Sequence, residues 1–257
     1  DGIFYVMNKL YGVSFKKIEK IPVYHKDVTA YEVLDEKGNH LAVLYMDFFP
    51  RESKRGGAWM TNYIEQYHKN GKDIRPVIAI CGNFTKPTAD KPALLTADEV
   101  ETFFHEFGHA IHGILSNCKY RTISGTNVPR DFVELPSQFH ENWAFQPEVL
   151  KVYAKHYKTG EVIPQVLVDK MKNAGTFNQG FATVEYLAAS YLDMAYHTVS
   201  TSFDKDPNEF EKETLDRIGL IPQIISRYKS TYFNHIWGGG YSAGYYSYIW
   251  SEVLDQD

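Results

Sequence analysis

Residues 94 to 113 read Leu94-Leu-Thr-Ala-Asp-Glu-Val-Glu-Thr-Phe-Phe-His-Glu-Phe-Gly-His-Ala-Ile-His-Gly113, and this stretch restricts the chain most tightly. Thr96 is placed to cap a helix, and Asp98 and Glu99 fall in its first turn, where acidic groups meet the positive end of the helix dipole. Apolar residues then return every three to four positions. On such a helix His105 and His109, four residues apart, share a face. Two imidazole nitrogens on one face can hold one metal ion, and Glu106 beside them can act on a water molecule as a base. A five-residue pattern with three fixed positions also arises by chance, and helical histidines are often plain surface or core residues, so the pattern calls for a third ligand.

A tetrahedral catalytic zinc site takes three protein ligands and leaves its fourth position open, with a carboxylate a usual third choice. The stretch Asp131-Phe-Val-Glu-Leu-Pro-Ser-Gln138 offers Glu134 in an apolar setting, where an unpaired carboxylate is costly to bury. Glu134 is therefore a candidate third ligand in preference to a solvated charge. Near the end of the chain, residues 235 to 248 gather His235, the run Gly238-Gly-Gly240 and several phenols. Tyr241, Tyr245 and Tyr248 fall at helical spacing, which alone reads as an aromatic core stripe.

Taken together, Phe104-His-Glu-Phe-Gly-His-Ala-Ile-His-Gly113, Asp131-Phe-Val-Glu-Leu-Pro-Ser-Gln138 and Gly239-Gly-Tyr-Ser-Ala-Gly-Tyr-Tyr-Ser-Tyr-Ile-Trp-Ser-Glu-Val253 resemble the M3 family of zinc oligopeptidases. The likeness runs in order along nearly the whole chain, and residues 124 to 134 look closest to the family's peptidyl-dipeptidase branch. The resemblance implies a zincin-like metallopeptidase catalytic region. It implies one Zn2+ per chain held by His105, His109 and Glu134, with Glu106 as general base and then acid in peptide-bond hydrolysis. It carries Tyr241 and Tyr248 over as electrophilic donors and His235 as a transition-state or substrate contact, and adds Tyr245 as a substrate-binding candidate. The triple glycine departs from the usual Ala-Gly-Gly of relatives, which is expected to alter loop mobility more than chemistry.

The branch implies release of dipeptides from the free C-termini of short peptides. Cleavage of internal bonds in short peptides is the neighbouring alternative, and a non-catalytic zinc- or peptide-binding module belongs to a different class. Relatives carry a further, largely helical N-terminal half that forms the opposite wall of a substrate channel. Residues 1 to 257 are thus expected to be a single catalytic region of a longer protein, with that missing half as its partner.

Five further residues have two readings each. Glu101, four before His105, can accept the second imidazole N–H or be a plain surface carboxylate. His112 fits packing or hydrogen bonding better than a fourth ligand. Arg130 can hold a peptide's terminal carboxylate bidentately or pair with Asp131. Lys54 and Arg55, in a polar loop at 50 to 57, read as a solvated pair in preference to a peptide-carboxylate contact.

At 257 residues, 44% hydrophobic and 23% charged, the chain can build a substantial core. A net charge of −5 with scattered Lys and Arg provides no basic surface for nucleic acid. No run of about 18 apolar residues suits a membrane span. Cys81 and Cys118 have no metal-type spacing and suit a reducing compartment, so a cytoplasmic location is expected, an exported form being left open with the N-terminal part missing. The patterns predict a mainly α fold with a small β-sheet. They place an opening helix ended by Gly12, strands at 29 to 34 and 41 to 49 around a turn at 35 to 39, and an apolar strand at 75 to 83. In zincin-like relatives that last strand lies beside the active-site helix and can pair with substrate backbone, the alternative being a plain buried strand. A loop at 115 to 129 leads to a second metal-binding helix over 131 to 145, whose start is set near Glu134 by Pro136. Scaffold helices follow at 147–157, 164–174, 179–200, 207–217 and 222–229.

Overall fold

The computed structural model describes residues 1–257 and divides into two compact units, the first comprising residues 1–128 and 133–164, the second 129–132 and 165–257. The fold is mainly helical with a small mixed sheet, as the patterns predict.

The first unit opens with α1 (Gly2–Tyr11), which ends where Gly12 turns left-handed at φ 67° and returns its N–H to Asn8. Strands β1 (Ser14–Lys17), β2 (Thr29–Leu34) and β3 (His40–Asp47) form an antiparallel meander. The turn between β2 and β3 is closed by the Asp35 carboxylate, which accepts the N–H groups of Lys37 and Asn39 and leaves Gly38 at φ 81°. Strand β4 (Trp59–Ile64) and the short hairpin of β5 (Tyr67–Lys69) and β6 (Lys72–Ile74) precede β7 (Val77–Cys81). In the five-stranded sheet the order is β1-β2-β3-β7-β4, with β3 and β7 parallel and every other pair antiparallel. Strand β7 is thus the predicted 75–83 strand, buried and paired on both sides, while β4, which no clean alternation marks in the sequence, is an edge.

Helix α2 (Ala97–Ile114) packs across β4 and β7. Its start is a full capping box: Thr96 accepts the Glu99 N–H, and Glu99 accepts the Thr96 N–H. Phe104, Phe107, Ile111 and Ile114 bury one face of α2 against Leu44, Ile78 and Ile80 of the sheet, and α1 adds Met7. After a 3-10 turn at Arg121–Ile123 come α3 (Leu135–Glu141) and α4 (Pro147–Tyr153). Both are shorter than predicted, although Pro136 does sit in the opening turn of α3.

The second unit is helical: α5 (Gln165–Gly175), α6 (Gln179–His197), α7 (Pro207–Arg217), α8 (Asn234–Trp237) and α9 (Ser247–Gln256). Its core gathers Phe233, Ile236, Tyr245 and Ala189, ringed by Tyr186, Tyr196, Tyr228 and Tyr248. The helix predicted at 222–229 is absent; that segment is a series of turns, held in part by Arg227 N–H to the Glu185 carbonyl.

The loop at 50 to 57 corrects a second expectation. Lys54 is not solvated: its side chain is 2% exposed, and its ammonium donates to the Asp47 carboxylate at 3.0 Å and to the carbonyls of Asp47 and Phe49. Arg51 grips the same carboxylate with two N–H groups, and the Tyr24 hydroxyl donates to it at 3.0 Å. Burial pushes the Asp47 carboxyl up, but these donors outweigh it and hold it below the usual range. Arg55 lies 4.2 Å over the Trp59 ring. No helix of the chain is long and apolar enough to cross a membrane.

Candidate metal centre

Helix α2 presents His105 and His109 on one face, with ring centroids 5.0 Å apart. Glu134, the residue before α3, points its carboxylate between them: Oε2 lies 3.2 Å from His105 Nε2 and 3.1 Å from His109 Nε2. Glycine makes this approach possible. A Cβ at Gly108 would stand 2.5 Å from both the Pro136 carbonyl oxygen and the Ser137 Cα, so only glycine in the middle of the motif lets α3 lie this close to α2.

The three ligand atoms lie within 4.8 Å of one another. Tetrahedral coordination at metal–ligand distances of about 2.0–2.1 Å separates ligand atoms by roughly 3.3 Å, close to the two imidazole–carboxylate spacings here. Two neutral imidazoles and a carboxylate are also a zinc donor set by chemistry, so the residues fit the ion.

The electrostatics express the same complementarity. Glu134 is 2% exposed, and although burial opposes its charge, the two imidazoles hold its carboxyl far below the usual range. Burial also opposes protonation of His105, yet its hydrogen bonds to Glu134 and Glu141 prevail and push it up to about 10. Ser137 Oγ donates to Glu134 Oε2 at 3.0 Å and helps aim it.

The partner of His105 Nδ1 is the Glu141 carboxylate at 2.5 Å, so the orienting role considered for Glu101 belongs to Glu141 at the end of α3. Glu101 is exposed. Glu141 carries no motif signal, since it lies 36 residues from His105 and is recognised only once α3 is placed. Glu106 is buried, its Oε2 has no hydrogen-bond partner, and burial raises its carboxyl pKa despite the opposing pull of His105 and His109. The Met60 N–H of β4 supports its carboxylate. Burial and the neighbouring His109 lower the pKa of His112, which lies outside the donor set.

The tyrosine-bearing segment belongs to the second unit. Residues 241 to 246 form turns ahead of α9, so Tyr241 and Tyr245 are not on a helix with Tyr248. The Tyr241 and Tyr248 rings nevertheless stack at 5.5 Å and 16°, with the His235 ring 5.9 Å from Tyr241 and 6.4 Å from Tyr248. Tyr245 is 2% exposed and lies in the core of its unit, and burial raises its phenol pKa; this is a packing position, not one open to substrate. Arg130 lies 4.7 Å over the Tyr241 ring, while Asp131 accepts the Tyr246 hydroxyl. Within the glycine run, a Cβ at Gly239 would meet the His235 Cα at 2.9 Å and Gly240 has φ 84°, whereas at Gly238 the nearest atom is Asn234 Oδ1 at 3.2 Å. The first glycine is therefore the position that can most readily take alanine.

A helical His-Glu-x-x-His with a carboxylate brought in at the start of a following helix defines a candidate mononuclear metal centre, with the buried Glu106 carboxyl beside it. The chain belongs to peptidase family M3, whose model matches residues 1–257. It is 47% identical over 259 residues to the dipeptidyl carboxypeptidase of Escherichia coli and 39% identical over 264 residues to the oligopeptidase A of the same organism. It is also 38% identical over 269 residues to a probable cytosolic oligopeptidase A of Arabidopsis thaliana. In each case all of this chain is matched, and it spans 38% of the relative's length.

Proposed function

We propose that the chain is the catalytic region of a zinc-dependent peptidase that removes dipeptides from the free C-termini of short peptides. The observation that carries the reading is the convergence of His105, His109 and Glu134 on one point, with the buried Glu106 one residue from His105. The greater identity to a dipeptidyl carboxypeptidase than to oligopeptidase A supports C-terminal release over internal cleavage.

His105, His109 and Glu134 would hold a zinc ion, which when bound would supply Lewis-acid chemistry and make hydroxide accessible near neutral pH. Glu106 takes the proton as water adds to the scissile carbonyl and returns it to the leaving amine, a task suited by a carboxyl whose pKa burial has raised. Glu141 fixes the His105 ring and its tautomer. Tyr241 and Tyr248 donate to the carbonyl oxygen as negative charge develops there, and His235 contacts the substrate or the transition state. Strand pairing with the peptide backbone passes from β7, which has no free edge, to β4. A cytoplasmic location and completion of the substrate channel by a further part of the protein belong to the same reading.

Two measurements on the full-length protein test it. Elemental mass spectrometry should find one zinc per chain, lost in Glu134→Ala; zinc that survives the substitution removes Glu134 from the ligand set. Peptides with free C-termini should lose dipeptides while their amidated counterparts persist. Equal cleavage of both would favour internal cutting, and peptide retained uncut would favour a binding module.

A further inference from the structure

We propose that Asp193 is a positioning residue for the reaction: its buried carboxylate holds the turn that presents Tyr241 and Tyr248. The inference rests on the reading of those phenols as donors. Asp193 lies on α6 and is 0% exposed. A carboxylate in such a place needs a partner for each oxygen.

Both oxygens are engaged by one short stretch of chain. Oδ1 accepts the Ala243 N–H and Oδ2 accepts the Tyr245 N–H, each at 2.9 Å. His197, one helical turn further on, brings Nδ1 to 2.8 Å from Oδ1 and completes the set.

The turn needs such a hold. Ala243 sits at φ 55°, a left-handed conformation that an alanine keeps only where its surroundings impose it. The flanks are tied separately, Tyr241 N–H to the His235 carbonyl and the Tyr245 carbonyl to the Tyr186 hydroxyl. The amides at the middle of the turn are gripped by Asp193. Because the Tyr241 and Tyr248 rings stack across this segment, a relaxed turn would displace their hydroxyls relative to each other. No sequence pattern announces the role, since Asp193 lies about fifty residues from the turn it organises.

Asp193→Asn in the full-length protein keeps the shape and exchanges one acceptor oxygen for an NH2 group that faces an N–H. The expected result is a kcat reduced about 10- to 100-fold, with KM within about threefold of wild type. Zinc content should be unchanged, and amide exchange at Ala243 and Tyr245 should be faster. Adding Asp193→Asn to a Tyr241→Phe, Tyr248→Phe double variant should cost little more, because the carboxylate acts through those phenols. Full kcat in Asp193→Asn, or a loss that multiplies undiminished with that of the tyrosine variants, overturns the inference while leaving the donor reading intact. Wild-type kcat in the tyrosine variants overturns the donor reading, and this inference with it. Should the Asn variant fail to fold, Asp193→Glu, which keeps the charge but moves both oxygens, is held to the same criteria.

Discussion

Glu106 and Glu141 flank the same imidazole pair with different surroundings, and substitution should separate their roles. Glu106 has no partner on Oε2 and a raised carboxyl pKa, so Glu106→Gln removes the proton acceptor without touching a ligand. Turnover should fall by about 10²- to 10⁴-fold, with zinc content by elemental analysis unchanged. Glu141 meets His105 at Nδ1, away from the candidate ligand nitrogen, so Glu141→Ala should weaken zinc about 10- to 100-fold in competition with a chromogenic chelator. The sequence makes His105, Glu106, His109 and Glu134 legible because helical spacing and the cost of burying a lone carboxylate are local arguments. It leaves Glu101 open between an orienting carboxylate and a surface one because one turn of helix is all that local spacing can see, whereas the 2.5 Å partner of His105 arrives on another helix and Glu101 is exposed. The burial of Lys54 is hidden for the same reason: its acceptors are assembled by the fold at the end of β3, in a loop whose composition reads as solvated.

Between elements, the contact that brings the candidate metal ligands together is the approach of α3 to α2 at Gly108. Gly108→Ala must push backbone away from backbone, since both atoms at 2.5 Å from the added Cβ belong to the main chain. The substitution should lower stability by about 1–3 kcal/mol in urea unfolding and weaken zinc binding as Glu134 moves off the histidines. The Asp47 cluster ties β3 to the loop before β4 and gives a pH prediction. The Asp47 carboxyl is held below its ordinary 3.8, so its contribution to stability is complete above that value and is lost as pH falls through the lower folded-state value. Asp47→Asn should therefore be destabilised by about 3 kcal/mol at neutral pH, the gap to wild type narrowing in urea unfolding below about pH 3.8. Periodicity makes α1, α2, α6, α7 and the β2–β3 hairpin legible. It fails for β4, whose side chains are half-buried and then exposed without alternation, and for 222–229, where the apolar residues lie in turns of a helical unit.

Across the whole molecule the candidate residues fall into two compact units. The three candidate metal ligands and the residues that contact them lie in the first, between His105 and Glu141, while the stacked phenols and the Asp193 carboxylate that holds their turn lie in the second. That division was not legible beforehand, because neither composition nor a linker marks it: residues 129 to 132 belong to the second unit although the chain on both sides belongs to the first. It has a thermodynamic consequence. On the proposed reading, zinc would stabilise only the states that keep His105, His109 and Glu134 together, by about 2.7 kcal/mol when free zinc is 100 times its dissociation constant. Removing it should accelerate exchange most for amides of residues 97–114 and 134–141, by up to about 100-fold where their exchange requires opening of the site. Amides of Gln179–His197 and Pro207–Arg217, which bear no ligand, should exchange alike with and without chelator. Hydrogen–deuterium exchange in the zinc-loaded and chelator-treated protein measures both sets at once. Equal acceleration in the two would mean that metal-linked stability is shared by the units as one cooperative block, and acceleration in neither would remove the zinc site itself.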